Sequence, residues 1–213
     1  MAPPKFYVLA GPNGSGKTTF ALNNPKFSGL TFINADIEAQ QLSPGSPAKA
    51  AIAAGRTTLA KIAREISEQR TFVPETTLSG LSPLETMRRA LSAGYEIDLT
   101  YVCLDSPSAN IDRVAARVLA GGHHVPDRDV ERRYYRSLQN LPVALVYAEH
   151  AKVYDNSAPS DPSVLLEIRD RSLIFLRHEL PDWLKSVFKV DDAVEDTTRH
   201  VKHLFEDLRK DLK

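Results

Sequence analysis

The run Phe6-Tyr7-Val8-Leu9-Ala10-Gly11-Pro12-Asn13-Gly14-Ser15-Gly16-Lys17-Thr18-Thr19 decides the fold. Its second half has a glycine, four free positions and then Gly-Lys-Thr, the spacing of a phosphate-binding loop. Its first half, residues 6–10, is a short apolar stretch that reads as a buried strand. Thr19-Phe20-Ala21-Leu22 can open a helix, so the loop has the strand and helix flanks it needs. Gly11, Gly14 and Gly16 let successive backbone N–H groups curl round an anion, and the helix start adds its dipole. Residues Gly11, Pro12, Asn13, Gly14, Ser15, Gly16, Lys17, Thr18 and Thr19 are therefore expected to hold a nucleotide. In that arrangement Lys17 meets the β- and γ-phosphates and the Thr18 hydroxyl meets a magnesium ion.

Outward from the loop, strand-like and helix-like stretches alternate. Residues 30–34, 71–75, 97–104 and 152–156 read as strands two to five. Helices are expected between them, the clearest with Leu59, Ile62, Ala63 and Ile66 on one face. Ser82-Pro83-Leu84-Glu85 reads as a helix start with Ser82 as the cap. Another helix is expected from Asp127 to near Pro142, and residues 172–176 form a sixth element of undecided type. The segment 160–213 is expected to be mainly helical. The prediction is α/β: a P-loop kinase-like, mostly parallel sheet with helices on both faces and a helical lid over about 113–140, all in one domain. Ligands of such sheets gather at the carboxyl ends of the strands. Asp36, Glu75, Asp105, Asp155 and Asn156 are all placed there.

Composition narrows the class. The 213 residues are 42% apolar, enough for a core, and no run is long enough for a membrane span. No signal peptide is visible, and a single cysteine, Cys103, sits inside an apolar run. These features predict a cytoplasmic protein. The net charge of zero argues against a dedicated nucleic-acid binder.

Phosphoryl transfer needs a cationic grip on the donor and a carboxylate facing the acceptor. Asp36, in Asn34-Ala35-Asp36, is the expected general base, its alternative being a cap on the following helix. Glu75, with Thr76 and Thr77 beside it, is expected to meet substrate or a metal-bound water, or else to belong to a plain turn. Six arginines, Arg113, Arg117, Arg128, Arg132, Arg133 and Arg136, face three acids over the same stretch, for a local charge of about +3. They flank Gly121-Gly122, which suits a hinged lid that carries guanidinium groups onto phosphates. Arg117 and Arg133 are the chosen pair, with Arg132 close behind. His123-His124 lack the companions a metal site needs.

The ordered set Gly11 to Thr19, Asn34-Ala35-Asp36, residues 75–80 (Glu-Thr-Thr-Leu-Ser-Gly), Arg113 to Arg117, residues 121–126 (Gly-Gly-His-His-Val-Pro), Arg132-Arg133-Tyr134 and residues 155–157 (Asp-Asn-Ser) resembles the zeta-toxin family. It is most similar to the short zeta-like proteins often labelled ABC-type ATPases. The resemblance implies Mg2+-dependent transfer from ATP or GTP to the 3′-hydroxyl of the amino sugar of UDP-N-acetylglucosamine. It implies Lys17 on the phosphates, Asp36 as base, Glu75 on substrate, and Arg117 with Arg132 or Arg133 on the transferring group; Asn34, Thr76 and Thr77, beside these carboxylates, are expected to border the substrate too. It also implies an antitoxin protein partner. Leu78-Ser79-Gly80 is followed by Leu81-Ser82 rather than Gly-Gln, and Asp105 by Ser106 rather than glutamate. Both favour transfer over hydrolysis. A nucleic-acid or nucleoside kinase, and a nucleotide-gated binding module without catalysis, are the competing readings.

Overall fold

The computed structural model describes residues 2–122, 124–191 and 193–212. Strand β1 (Lys5–Ala10) leads through the glycine loop into α1 (Lys17–Leu22). A 3-10 turn (Pro25–Phe27) precedes β2 (Thr31–Ile33), α2 (Ala35–Leu42) and the long α3 (Pro47–Ser67). Then come β3 (Phe72–Thr76), α4 (Leu81–Ser92), β4 (Glu96–Cys103), α5 (Pro107–Leu119) and α6 (Asp127–Tyr147). The chain closes with β5 (His150–Asp155), β6 (Ser163–Arg169), β7 (Ser172–Leu176), α7 (Asp182–Phe188) and α8 (Thr197–Asp211).

The sheet order is β2-β3-β1-β4-β5-β6-β7. The first five strands are parallel, and β6 and β7 add antiparallel at one edge. This is the mostly parallel, P-loop kinase-like sheet expected from the sequence. Alternation along β1 sorts its side chains between two cores. Phe6, Val8 and Ala10 join the large core with α3, α4, α6, α7 and α8, whereas Leu9 joins a smaller one with Phe27, Val73 and Val102. Central strands buried on both faces are read from continuous apolar runs, as here.

Three expectations need correction. Residues 163–176 form a β-hairpin, so 160–213 is not mainly helical; Val164, Leu166 and Ile168 pair onto β5, and Leu165, Leu166 and Ile168 are buried. Helix α6 passes through Pro142 to Tyr147, because Leu141, Ala144 and Leu145 are fully buried and hold the turn that proline alone would open. Ser82 does not cap α4: the helix begins one residue earlier, at Leu81, after Gly80, and the Ser82 carbonyl accepts from Thr86 Oγ1 at 2.8 Å. The segment 113–140, the expected lid, divides between two cores. Val114, Val125 and Val130 form a small core of their own, but Tyr134, Leu138 and Leu141 belong to the main core, and Tyr134 donates to the Leu104 carbonyl at 3.0 Å. His123 lies outside the described residues.

Candidate functional site: a phosphate loop facing two carboxylates

The carboxyl ends of β1, β2 and β3 converge because the register sets Leu9 opposite Glu75 and Ala10 opposite Thr76. The loop between Ala10 and Lys17 lies over that edge. Gly11, at φ +142°, has no room for a side chain against the Val102 carbonyl, and a Cβ on Gly14 would come within 2.5 Å of the Asn110 carbonyl. The loop is pinned by α5 and by the segment after β5. Asn110 Nδ2 donates to the Asn13 carbonyl, and Asn156 Nδ2 donates to the Ser15 carbonyl at 2.8 Å. Arg113 Nη2 in turn donates to the Asn156 carbonyl at 2.7 Å. Asn110, Arg113 and Arg117 sit at helical spacing on one face of α5, the face turned to the loop.

Lys17 opens α1 and is only 6% exposed. Its ammonium donates to the Pro12 carbonyl at 2.9 Å and lies 3.7 Å from Glu75 Oε1. Burial pushes Lys17 below the ordinary lysine range, while Glu75 and then Asp36 pull it back up and Arg117 lowers it further. Thr18 Oγ1 donates to Glu75 Oε2 at 3.2 Å. Glu75 therefore touches both of the loop's functional side chains.

Asn34 settles the question of the helix cap. Its Oδ1 accepts from the backbone N–H of Asp36 at 2.7 Å and of Ile37 at 3.3 Å, so Asn34 caps α2. Asp36 is left in the first turn, exposed, with its carboxylate on the cleft that also holds Lys17 and Glu75. Thr76 and Thr77 line the same cleft, and the segment that follows is tightly fixed. Leu78 is fully buried at φ +55°, an uncommon backbone state for a residue other than glycine. Thr76 Oγ1 accepts from the Leu78 N–H at 3.0 Å, and Asn140 Nδ2 clamps the Leu78 carbonyl at 2.8 Å.

The arginines divide by position. Arg113, Arg117 and Arg133 line the cleft, and Arg133 Nη1 donates to Asn13 Oδ1 at 3.2 Å. Arg132 points away and pairs with Asp129 at 3.0 Å on the surface. Residue-type reasoning had left Arg132 and Arg133 nearly equal, and it gave Arg113 and Asn156 no bracing role. The helical spacing Asn110–Arg113–Arg117 was the available signal for the first; nothing local marks the second. Cys103 is buried, its thiol pushed up to about 12, as suits a core residue.

The whole cleft measures about 720 Å³, a size that suits a small-molecule site. Its lining combines the charged side chains above with apolar ones that include Phe6, Val8, Ile62 and Met87. Among the described residues no group of three or more His, Cys, Asp or Glu is placed to hold a metal by itself, and no helix is long and apolar enough to cross a membrane. A magnesium ion that takes most of its ligands from phosphates and water needs no such group, and the oxygens of Thr18 and Glu75 suit it.

A family model for an AAA domain matches residues 7–138. An uncharacterized protein of Haemophilus influenzae is 35% identical over 130 residues, which cover 61% of this chain and 92% of that protein. Among solved structures, an AvrRxo1-ORF1:ORF2 complex aligns over 97% of this chain and 76% of its own, with a TM-score of 0.70 at 12% identity. The structure reported for the PezAT chromosomal toxin–antitoxin system of Streptococcus pneumoniae aligns over 99% and 87%, with a TM-score of 0.53 at 17% identity. At those identities the two structures speak for the fold.

Proposed function

Since the chain belongs to the AAA-domain family, with a P-loop kinase-like fold, we propose that it is a small-molecule kinase of the zeta-toxin kind. It moves the γ-phosphoryl group of ATP or GTP onto a hydroxyl of a UDP-activated amino sugar such as UDP-N-acetylglucosamine. The observation that carries this reading is the placement of Asp36 on the cleft of Lys17, freed from capping duty by Asn34. A binding module would have no use for that carboxylate.

In this mechanism Asp36 accepts the proton of the acceptor hydroxyl. The oxygen bonds to the γ-phosphorus, the bond from that phosphorus to the β–γ bridging oxygen breaks, and ADP or GDP leaves. Lys17, Arg117 and Arg133 oppose the charge on the transferring group, which is the main task in phosphoryl transfer. Thr18 would hold Mg2+, which supplies further charge neutralisation when bound. Glu75 exchanges its contacts with Lys17 and Thr18 for the incoming ligands, and with Asn34, Thr76 and Thr77 it borders the acceptor. The fold similarity to a complex that has also been solved with ATP supports the donor, and the similarity to PezAT supports a protein antitoxin as partner. A cytoplasmic location suits both.

The test is phosphate transfer from labelled ATP, with Mg2+, to UDP-N-acetylglucosamine and to RNA ends in parallel reactions. Label on the sugar nucleotide is expected. Preference for RNA ends would replace this reading with a nucleic-acid kinase.

A further inference from the structure

We propose that Asn140 of α6 is a positioning residue: by pinning the turn after β3, it holds the hydroxyls of Thr77 and Ser79 together as a pair that meets an oxygen of the acceptor. The role given to the pair rests on the kinase reading; the turn and its clamp do not.

The turn is unfavourable by itself. Leu78 has φ +55°, and a left-handed backbone crowds the Cβ of any residue but glycine. Such a state persists only where its surroundings over-determine it. Three restraints do so here. The Leu78 side chain is fully buried in the main core. Its N–H donates to Thr76 Oγ1 at 3.0 Å. Asn140 Nδ2 donates to the Leu78 carbonyl at 2.8 Å and to the Gly80 carbonyl at 3.2 Å, so one amide group spans the turn. This last restraint reaches across 62 residues of sequence.

The consequence falls on the cleft. Along an extended strand, residues 77 and 79 would stand about 6.6 Å apart. The turn instead brings the Thr77 and Ser79 hydroxyls within 2.8 Å of each other, and both residues line the cleft that Glu75 also lines. One hydroxyl donates to the other, which leaves the second O–H, polarised by its partner, to donate to an oxygen of the acceptor. The same helix serves the donor side. Arg133 stands seven residues before Asn140, two turns back on one face of α6. Arg133 Nη1 reaches Asn13 Oδ1 of the phosphate loop at 3.2 Å. Tyr134, Leu138 and Leu141 hold this stretch of α6 in the main core. One anchored helix therefore sets the spacing between an arginine of the donor side and the turn that receives the acceptor.

The test is steady-state transfer from ATP, with Mg2+, to UDP-N-acetylglucosamine, with KM measured separately for each substrate. The full chain is compared with Ser79→Ala, Asn140→Ala and the double variant. Far-UV circular dichroism checks folding. Asn140→Asp keeps the side-chain shape but cannot donate, and it takes the place of Asn140→Ala if the alanine variant does not fold. Ser79→Ala should raise the acceptor KM about fivefold. Asn140→Ala should raise it about tenfold, because both hydroxyls lose their place, and leave the KM for ATP within about twofold. In the Asn140→Ala background, Ser79→Ala should add less than about twofold, since the clamp acts through the pair. A general loosening of the fold would move both KM values together. An acceptor KM unchanged in the folded Asn140 variant, a parallel rise in the KM for ATP, or a full fivefold effect of Ser79→Ala without the clamp would overturn the proposal alone. Absent transfer to the sugar nucleotide by the unsubstituted chain would overturn the kinase reading, and the pair's role with it.

Discussion

The loop's brace can be measured by placing the same methyl group at two glycines. Gly16 and Gly29 both have left-handed backbones, at φ +92° and +73°. A Cβ on Gly29 meets nothing within 4 Å, whereas one on Gly16 would overlap Asn156 Nδ2. Gly29→Ala therefore costs only the left-handed penalty, about 1–2 kcal/mol, reduced by the loss of freedom in the unfolded chain. Gly16→Ala has both of those and must also displace Asn156, losing its bond to the Ser15 carbonyl, worth about 0.5–1.5 kcal/mol. The expected gap between the two variants is about 1 kcal/mol. Urea denaturation at constant m-value reads it as a difference in midpoint. In an Asn156→Ala background the clash and the bond are both gone, so the gap should close. ATP affinity should fall about tenfold in Gly16→Ala and stay level in Gly29→Ala. Equal costs for the two alanines, or a gap that survives Asn156→Ala, would refute the brace.

Asp36→Asn should leave ATP binding by calorimetry nearly intact and lower phosphoryl transfer by about 10²–10⁴-fold; wild-type turnover in that variant removes Asp36 as base. Arg133→Ala should cut transfer by about 10²-fold or more, while Arg132→Ala, which breaks only a surface pair, should stay within about twofold. Cys103 sets a pH signature. Its folded pKa is raised to about 12 from 9.0, because burial disfavours the thiolate. Stability should be independent of this group below pH 9, then decline as the pH rises toward about 12 and the unfolded chain alone ionises. Iodoacetamide at pH 8.5 should leave the native thiol unmodified until urea unfolds the chain, and rapid native labelling would contradict the burial.

What the sequence disclosed followed the range of the physics involved. The loop at Gly11–Thr18 was legible because its chemistry is local: spacing, glycine freedom and the helix start all lie within a few residues. The central strands β1 and β4 were legible because strands buried on both faces need near-continuous apolar runs, as in residues 97–104. The hairpin at 163–176 was not, because β7 is an exposed edge whose Ile174 and Phe175 face solvent, so its pattern signals no burial. The end of α6 was misread because Pro142 is a strong local stop signal that tertiary packing of Leu141 and Leu145 overrides. Asp36 was weighed as base or cap and Asn34 only as a substrate contact; that Asn34 is the cap follows from a side-chain bond to two backbone N–H groups, which no local pattern displays. Asn156 could not be linked to Ser15 by any local rule, since 141 residues separate them.

The same distinction explains how a chain of zero net charge can be suited to polyphosphate. Whole-chain charge averages over a surface rich in pairs such as Arg64–Glu68, Arg88–Glu85 and Lys210–Asp207, which are exposed, short in sequence and nearly neutral in their far field. The cleft is selected differently. Lys17, Arg113, Arg117 and Arg133 stand there against Asp36 and Glu75, four cations against two carboxylates, for a local excess of two positive charges. At the Debye length of about 8 Å in physiological salt, a triphosphate entering the cleft responds to those six groups and hardly at all to the distant pairs. Field focusing in a low-dielectric cleft strengthens that response. Charge neutrality therefore argues against an extended nucleic-acid surface, which needs its excess spread over many residues, but it places no limit on a concentrated site for one nucleotide. The two carboxylates confine the excess further: Glu75 offsets Lys17 at the loop and Asp36 offsets the start of α2, so the uncompensated positive charge lies on the arginines of α5 and α6.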